Sequence, residues 1–248
     1  MSDEIVYGVN SVTEALRGQR KASELFLAGE ADDRRLARVV QLAKERGVPV
    51  RMRQKQDISR LTGTDHHQGV ALRVEPFPYA EIEDIIASTV DTPEALLLLL
   101  DSIQDPANLG SLIRSAACAG ASGIVVTRDR SVGVTPAVER VSAGAAETVP
   151  IARVVNLVQA MDQLKEAGFW IYGLSDAAPA AIYSQRFSGK VALVVGNEGE
   201  GIRPLVKKKC DIMLSIPLHG GVSSLNAAVA GSITLFEVVR QRGAAHKI

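Results

Sequence analysis

Three loops of this 248-residue sequence hold most of its candidate reactive side chains, and each loop follows an apolar run typical of a buried strand. The first loop leads into an otherwise apolar helical pattern that contains Asn108 and, six residues later, Arg114. An arginine in that position either binds an anion or extends its charged end into solvent. The second loop is glycine-rich and carries the carboxylate of Glu198. The third ends in Ser224 and Asn226, residue types that cap a helix or hold a polar substrate.

Two other patterns resemble ligand sites, but neither has the required spacing. The glycines at 196, 199 and 201 fall in the order G-x-x-G-x-G, whereas a dinucleotide-binding loop has the order G-x-G-x-x-G. A nucleotide-dependent enzyme with a Rossmann site is therefore poorly supported. Asp65, His66 and His67 are adjacent, but no further ligand follows at helical or loop spacing. We predict no metal site there, and a turn before the next strand.

The elements that position the three loops belong to a predicted α/β domain over residues 95–248, with a mainly parallel sheet. We predict strands at residues 95–100, 123–127, 169–174, 190–195 and 212–216, and helices at 108–120, 135–145, 156–167 and 224–242. The last helix has one apolar face, formed by Leu225, Val229, Ile233, Phe236 and Val239. Ligands bind beyond the carboxyl ends of parallel strands, so we expect the three loops to meet at one edge of the sheet.

Residues 1–76 form a second predicted unit, a small α/β domain. Residues 77–94 form a linker that contains proline and several acidic residues, the latter on a predicted short helix. Within the small domain we expect strands at residues 24–28 and 68–74 and a helix at 34–46. Ser11 and Glu14 have the spacing of a capping box at the start of an earlier helix. Asn108 is similarly placed to cap the helix that follows the first polar loop of the larger domain.

Basic residues are concentrated in the small domain, since twelve lysines and arginines lie between Arg17 and Arg60 against six acidic residues. This excess indicates either a solvated surface or a surface that contacts phosphates. Phe26 is the one aromatic residue in the stretch, which favours recognition of RNA shape and backbone over base stacking. The candidate RNA-binding residues are Arg17, Arg51, Arg53 and Lys55.

Composition excludes several classes of protein. The chain is 46% hydrophobic and has 28 basic and 28 acidic residues, which excludes a disordered chain and a global polycation. Its longest apolar run, residues 95–100, is far shorter than the roughly 20 residues of a membrane span, and the N-terminus lacks the pattern of a signal peptide. Cys118 and Cys210 are far apart, as expected for free thiols. We therefore expect a cytoplasmic protein without a membrane partner.

Three segments resemble the motifs of the SpoU/TrmH family of RNA ribose 2′-O-methyltransferases. They are Asn108-x-Gly-x-x-x-Arg114, Val194-Val-Gly-Asn-Glu-Gly-Glu-Gly-Ile202 and Ile216-Pro followed by Ser224-Leu-Asn226. Further segments, residues 135–144, 7–16 and 67–69, resemble the subgroup that methylates a guanosine of 23S ribosomal RNA. Ala227, where that subgroup commonly has valine, and the sequence His219-Gly-Gly221 depart from its pattern.

The resemblance implies a fold, a cofactor and a set of site residues. It implies a C-terminal SPOUT-type parallel-sheet domain with a trefoil knot that binds S-adenosylmethionine, and a small N-terminal α/β domain that is L30e-like and binds RNA. The implied catalytic residues are Asn108, Arg114, Glu198, Ser224 and Asn226, and the implied cofactor-binding residues are Leu174, Gly196, Gly201, Ile216 and Leu225. The implied partners are large-subunit ribosomal RNA and a second copy, paired through the catalytic domain.

Two alternatives stay open beside that function. The first is a tRNA ribose 2′-O-methyltransferase, whose three motifs are the same but which usually lacks the N-terminal domain. The second is a non-catalytic RNA-binding factor that has kept the fold, although intact Asn108, Arg114, Glu198 and Asn226 argue against it. Guanidinium rarely gives up a proton, so we expect Arg114 to fix a substrate phosphate and stabilise a developing alkoxide.

Overall fold

A computed structural model describes residues 3–18, 20–28 and 34–245, which form eleven strands and nine α-helices. The strands are β1 (Glu4–Tyr7), β2 (Ala22–Leu27), β3 (Val50–Met52), β4 (Val70–Val74), β5 (Leu96–Asp101), β6 (Gly123–Thr127), β7 (Ile151–Val154), β8 (Trp170–Leu174), β9 (Ala180–Ala181), β10 (Val191–Gly196) and β11 (Ile212–Ser215). The helices are α1 (Val9–Arg17), α2 (Arg34–Glu45), α3 (Lys55–Thr62), α4 (Ile82–Ala87), α5 (Pro106–Cys118), α6 (Pro136–Val141), α7 (Leu157–Glu166), α8 (Pro204–Lys209) and α9 (Ala227–Ala245).

The chain divides into two compact units, of which unit 1 comprises Met1–Pro78 and Val134–Thr148. Its four-stranded sheet has the order β1-β4-β2-β3, with β2 and β3 parallel and the other pairs antiparallel. Leu25 and Leu72 on one face pack with the apolar residues of α1 and α2. Phe26 and Ala71, which point to the opposite face, pack with Ile58 of α3. Helices α2 and α3 therefore lie on opposite faces of this sheet.

Segment Val134–Thr148 belongs to unit 1, although the predicted domains placed it with residues 95–248. The side chain of Arg20 is buried, and its guanidinium forms ion pairs with Glu139 and Glu147 of this segment and with Glu4. The hydroxyl of Ser11 also donates a hydrogen bond to the backbone carbonyl of Glu139, at 3.1 Å. The contacts with Glu139 and Glu147 join residues more than 100 positions apart, which local sequence patterns do not reveal.

Unit 2 comprises Tyr79–Gly133 and Val149–Ile248, and its described residues form a parallel sheet in the order β7-β6-β5-β10-β8-β11-β9. The α/β class and the parallel sheet confirm the predicted fold class of this part of the chain. Residues 77–94, predicted as a linker, contain α4, whose Ile82 and Ile85 lie in the core with Leu97 and Leu99. In the part of the chain that the structure describes, no helix is both long and apolar enough to cross a bilayer.

The predicted strands of unit 2 agree with the structure to within one or two residues, but three helix starts differ from the prediction. Helix α1 begins at Val9, so Ser11 lies inside the helix and does not cap it. The N-cap of α5 is Asp105, whose carboxylate accepts from the amide of Ala107 at 2.9 Å, and not Asn108. Pro106 fits the first position of a helix because its missing amide hydrogen would have no partner there.

The last helix starts at Ala227, three residues later than predicted. The side-chain oxygen of Asn226 accepts hydrogen bonds from the amides of Ala228 at 2.9 Å and Val229 at 3.2 Å. Asn226 is therefore the cap, and Ser224 lies in the loop before it. The sequence analysis also missed β1, β7, β9, α3 and α8, which are short or lack a clear apolar period.

Candidate active site

The three polar loops meet at the carboxyl edge of the parallel sheet of unit 2. Gly196 at the end of β10 pairs with Asp101 at the end of β5, and Leu214 of β11 pairs with Leu174 at the end of β8. Beyond these strand ends lies a cavity of about 310 Å³. The residues in its wall come from the ends of β8, β10 and β11, from the loops that follow them, from α8 and from the start of α9.

A hydrogen-bonded chain of side chains links the three loops. The side-chain amide of Asn226 donates to Asn108 Oδ1 at 2.9 Å, and the amide of Asn108 donates to Glu198 Oε1. Asn108 is buried, whereas Glu198 is exposed and forms part of the cavity wall. The network orients the side chain of Glu198 next to the cavity, and Asn226, the cap of α9, holds Asn108 in place.

The glycine-rich loop after β10 is fastened to the end of β5 by an ion pair. Asp101 is fully buried, and its two carboxylate oxygens accept from Arg203 Nε at 2.7 Å and from the Arg203 amide at 2.8 Å. Asn197 adds a hydrogen bond to the carbonyl of Ser102, at 2.9 Å. Because a buried carboxylate is costly without such partners, these bonds hold the loop, and with it Glu198, in one position.

Gly196 lies against the far end of its own loop, so close that a side chain has no room there. A Cβ at this position would collide with the backbone of Gly201 and Ile202, which cannot move away as a flexible side chain would. We expect Gly196→Ala to lower the free energy of unfolding of unit 2 by about 1–3 kcal/mol, as overpacking typically does. Urea unfolding followed by the fluorescence of Trp170 measures it, since Trp170 is the one tryptophan of the chain.

Gly199→Ala in the same loop is the matched control. Its Cβ would lie 3.6 Å from Asn197 Oδ1, which is ordinary van der Waals contact. We expect a change within about 0.5 kcal/mol, as for a surface substitution. Equal destabilisation by the two alanines would contradict the role of Gly196 as the point of close backbone approach.

The residues predicted to bind the cofactor all belong to the cavity wall. They are Leu174, Gly196, Gly201, Ile216 and Leu225, and the predicted catalytic residues Glu198 and Ser224 join them. Sequence analysis missed Asp176, Glu200, Lys207 and Met213, which also line the cavity. Asp176 follows β8 closely, so the rule about carboxyl ends of parallel strands would have found it if applied to that strand too.

Arg114 lies apart from the network and the cavity. Its side chain is exposed on α5, and it is not among the residues that line the cavity. Six residues along an α-helix correspond to about 9 Å, which separates Arg114 from Asn108 along the helix axis. Among the described residues the Arg114 guanidinium has no ion-pair partner, so it is available to an anionic ligand that arrives from solvent.

The predicted RNA-binding residues of unit 1 differ in their surroundings. Arg17 forms an ion pair with Glu14 at 2.7 Å, and Arg51 forms one with Glu24 at 3.1 Å. Arg53 and Lys55 are exposed, and neither has an acidic partner within the described ranges. Arg53 and Lys55 are therefore the two candidates whose charge is not already balanced by a neighbouring carboxylate.

Two other arginines of the basic stretch have structural roles. Arg20 is buried among carboxylates, and Arg46 donates to the backbone carbonyls of Leu16 at 2.9 Å and Gly18 at 2.6 Å. Burial of Arg20 removes its charge from the surface of unit 1. The count of basic residues in the sequence therefore overstates the charge that this unit presents to a partner.

The Asp65-His66-His67 sequence forms a turn. His67 is fully buried, its Nδ1 accepts from the amide of Gly69 at 3.0 Å, and its Nε2 lies 3.1 Å from the hydroxyl of Ser59. Burial and the nearby charge of Lys55 lower the pKa of His67, which favours the neutral ring. No group of three or more potential metal ligands is found in the described parts of the chain.

Both cysteines are free thiols, as the sequence predicted. Cys118 is exposed on α5, whereas Cys210 is partly buried directly after α8. Burial raises the pKa of Cys210 to about 12, and the negative charge of Asp211 adds to this effect. The Cys210 thiol therefore stays protonated near neutral pH and is a poor nucleophile.

Two family models match the chain. The model described as the SpoU rRNA Methylase family matches residues 95–236. The model described as RNA 2′-O ribose methyltransferase substrate binding matches residues 5–80. The first model alone covers more than half of the chain, and it includes all the residues of the Asn108 network.

Similar proteins match over nearly the whole length. The 23S rRNA (guanosine-2′-O-)-methyltransferase RlmB of Escherichia coli K12 is 39% identical over 243 residues, which are 96% of this chain and 99% of RlmB. An uncharacterized tRNA/rRNA methyltransferase of Mycobacterium ulcerans is 40% identical over 96% of this chain and 77% of its own. The crystal structure of the SpoU methyltransferase AviRb from Streptomyces viridochromogenes with the cofactor AdoMet superposes with a TM-score of 0.82, at 26% identity, covering 98% of this chain and 92% of AviRb.

Proposed function

This chain belongs to the SpoU rRNA methylase family, and from that membership we propose that it transfers a methyl group from S-adenosylmethionine to a guanosine ribose 2′-hydroxyl of 23S rRNA. The observation that carries the proposal is the 39% identity with RlmB over 96% of the chain. The network of Asn108, Glu198 and Asn226 supports it, because these three motif residues come together beside a cavity. A non-catalytic protein would have no need to keep that arrangement.

The cavity fits S-adenosylmethionine in size and chemistry. A volume of about 310 Å³ is at the lower end of the usual range for small-molecule sites, roughly 300–1,000 Å³. Leu174, Ile216 and Leu225 would enclose the adenine ring, and the close backbone approach at Gly196 leaves main-chain groups to bind its edge. When bound, the cofactor supplies an electrophilic methyl group on a sulfonium centre.

The residues of the chain then have to hold the ribose and stabilise the negative charge that develops on its 2′-oxygen as the hydroxyl loses its proton. Arg114 binds an RNA phosphate and stabilises the alkoxide that develops on the 2′-oxygen, while the proton leaves to phosphate or water. Asn108, Glu198 and Asn226, joined by hydrogen bonds, orient the ribose, and Ser224 offers a further hydroxyl at the cavity. Each of these groups acts by position and charge, and none forms a covalent bond with substrate.

A methyl-transfer assay tests the proposed function. The purified protein is incubated with S-adenosylmethionine carrying a labelled methyl group and with 23S rRNA or tRNA from a strain in which its gene is deleted. We expect label at one guanosine of 23S rRNA, located by mapping of 2′-O-methyl groups. Label in tRNA alone would support the tRNA alternative, and the absence of transfer to either RNA would support a non-catalytic RNA-binding factor.

RNA binding by unit 1 is proposed for Arg17, Arg51, Arg53 and Lys55, and the surface that carries Arg53 and Lys55 at the start of α3 is the part tested here. We expect the double charge reversal Arg53→Glu/Lys55→Glu to weaken RNA binding, and more at low salt than at high salt. Each lost phosphate contact should make the slope of log binding constant against log salt concentration less steep by about 0.7–0.9. Titration of labelled rRNA fragments over a salt series measures both effects.

The double reversal Arg38→Glu/Lys44→Glu is the control for this experiment. It changes the net charge equally, but both residues are exposed on α2, on the opposite face of the sheet from α3. We expect it to weaken binding less. If the two double variants lose affinity to the same extent, the effect comes from overall charge and the proposed surface is wrong.

A homodimer through the catalytic domain is proposed because α9 leaves apolar side chains exposed. Val229 and Phe236 are each 47% exposed, on the apolar face that the sequence predicted for this helix. Such exposed apolar surface often marks a contact with another chain. We expect light scattering at micromolar concentration to give a dimer, and Phe236→Glu to shift it toward monomer while Phe236→Leu does not. A monomeric parent protein would contradict the proposal.

Two finer expectations stay predictions. The trefoil knot follows from family resemblance, and a backbone trace of an experimental structure with bound cofactor tests it. A ribosomal RNA substrate would place the protein in the cytoplasm, which fractionation of cells tests.

A further inference from the structure

Three consecutive lysines form the last turn of α8, and the structure gives each a different environment. Lys209 forms an ion pair with Asp162 at 2.7 Å. Lys208 is exposed and does not line the cavity, whereas Lys207 is exposed and does line it. The sequence shows only a basic run at a helix C-terminus, which by itself indicates a favourable interaction with the helix dipole.

Among the described residues, Lys207 is the one basic residue in the wall of the cavity, where the acidic residues are Asp176, Glu198 and Glu200. Arg203 is close in sequence, but its guanidinium is already held by the buried carboxylate of Asp101. Lys207 has no ion pair with another side chain in the described part of the chain. Within the ranges that the structure describes, the cavity wall therefore combines one unpaired cation with three carboxylates.

This distribution of charge is complementary to the amino-acid part of S-adenosylmethionine, which has one carboxylate, one ammonium group and the sulfonium. An anionic ligand group in a site lined by acidic side chains needs a cationic partner. Glu198 is already held by Asn108, so Asp176 and Glu200 match the two cationic groups and Lys207 matches the carboxylate.

We propose that Lys207 binds the carboxylate of S-adenosylmethionine and so recognises the amino-acid end of the cofactor. The inference rests on the proposed function, since it assumes that this cavity takes the cofactor. It assigns a binding role to a residue that lies outside the three motifs.

Calorimetric titration with two ligands tests the assignment. The ligands are S-adenosylmethionine and decarboxylated S-adenosylmethionine, which keeps the sulfonium and ammonium groups and lacks the carboxylate. We expect Lys207→Met to raise the Kd for S-adenosylmethionine about tenfold or more, as loss of a hydrogen bond to a charged group does, and to leave the Kd for the decarboxylated ligand nearly unchanged.

Two control variants separate this effect from others. Lys208→Met removes a charge from the same helical turn and should leave both Kd values unchanged, and Lys207→Arg should restore most of the affinity for S-adenosylmethionine. If Lys207→Met weakens the binding of both ligands equally, or weakens the binding of neither, the proposed role of Lys207 is overturned. A wild-type protein that binds neither ligand overturns the proposed cofactor as well, so the two failures are distinguishable.

Discussion

Arg114→Ala should reduce the rate of methyl transfer by a factor of about 100 or more, as the loss of a group that stabilises charge in a transition state typically does. Arg114 is exposed and has no ion-pair partner in the described part of the chain, so its charge is free to meet an RNA phosphate. A single-turnover assay with saturating cofactor and 23S rRNA measures the chemical step without a contribution from product release.

Cofactor affinity should not change in this variant, because Arg114 does not line the cavity. The free energy of unfolding should also stay within about 0.5 kcal/mol, since the side chain is exposed. Arg114→Lys keeps the charge but loses the planar pair of donors, so we expect an intermediate rate. A folded alanine variant with the turnover of the parent would show that Arg114 has no part in the reaction.

Arg20→Met should destabilise unit 1 by about 3–5 kcal/mol, the usual cost of removing one partner from a buried ion pair. Arg20 is 4% exposed, and its guanidinium is the shared partner of Glu4, Glu139 and Glu147. Without it, the carboxylates of Glu139 and Glu147 stay buried with no cation. Hydrogen exchange of the amides in β1, α1 and α6 at increasing urea measures the loss within unit 1.

Arg17→Met is the matched control, because Arg17 forms an exposed pair with Glu14 on the same unit. We expect it to cost less than about 1 kcal/mol. If the amides of α6 are equally protected from hydrogen exchange in Arg20→Met and in the parent protein, the ion pairs do not hold segment Val134–Thr148 in unit 1.

The same cluster predicts a dependence of stability on pH. Burial raises the pKa of Glu139 above its ordinary value of 4.5, opposed by Arg20 and increased by Glu147 and Glu4. The Glu139 carboxyl therefore ionises, and becomes the charged partner of Arg20, at a higher pH in folded unit 1 than in the unfolded chain. The stability of unit 1 should fall as the pH rises above about 4.5 toward the raised pKa. Glu139→Gln, which stays neutral, should remove this slope from urea unfolding curves measured over that range.

Much of the fold was predictable because it depends on local patterns. Buried parallel strands such as β5 and β10 appear as unbroken apolar runs, and turns and helices separate them. The rule that ligands bind at the carboxyl ends of parallel strands then located the loops of Asn108, Glu198 and Asn226. Their roles came from resemblance to a family, since spacing alone left each loop with a structural explanation.

The sequence by itself determined the α/β class, the strands of the larger sheet and the polar loops at its edge, because apolar periodicity and chain order are local properties. Tertiary structure alone decided that Val134–Thr148 joins unit 1, that Arg20 is buried and that Lys207 faces the cavity. The physical reason is that charge pairing and burial depend on distances through space. Arg20 and Glu139 are 119 positions apart, and a count of charges along the chain does not distinguish a buried, paired arginine from a free one.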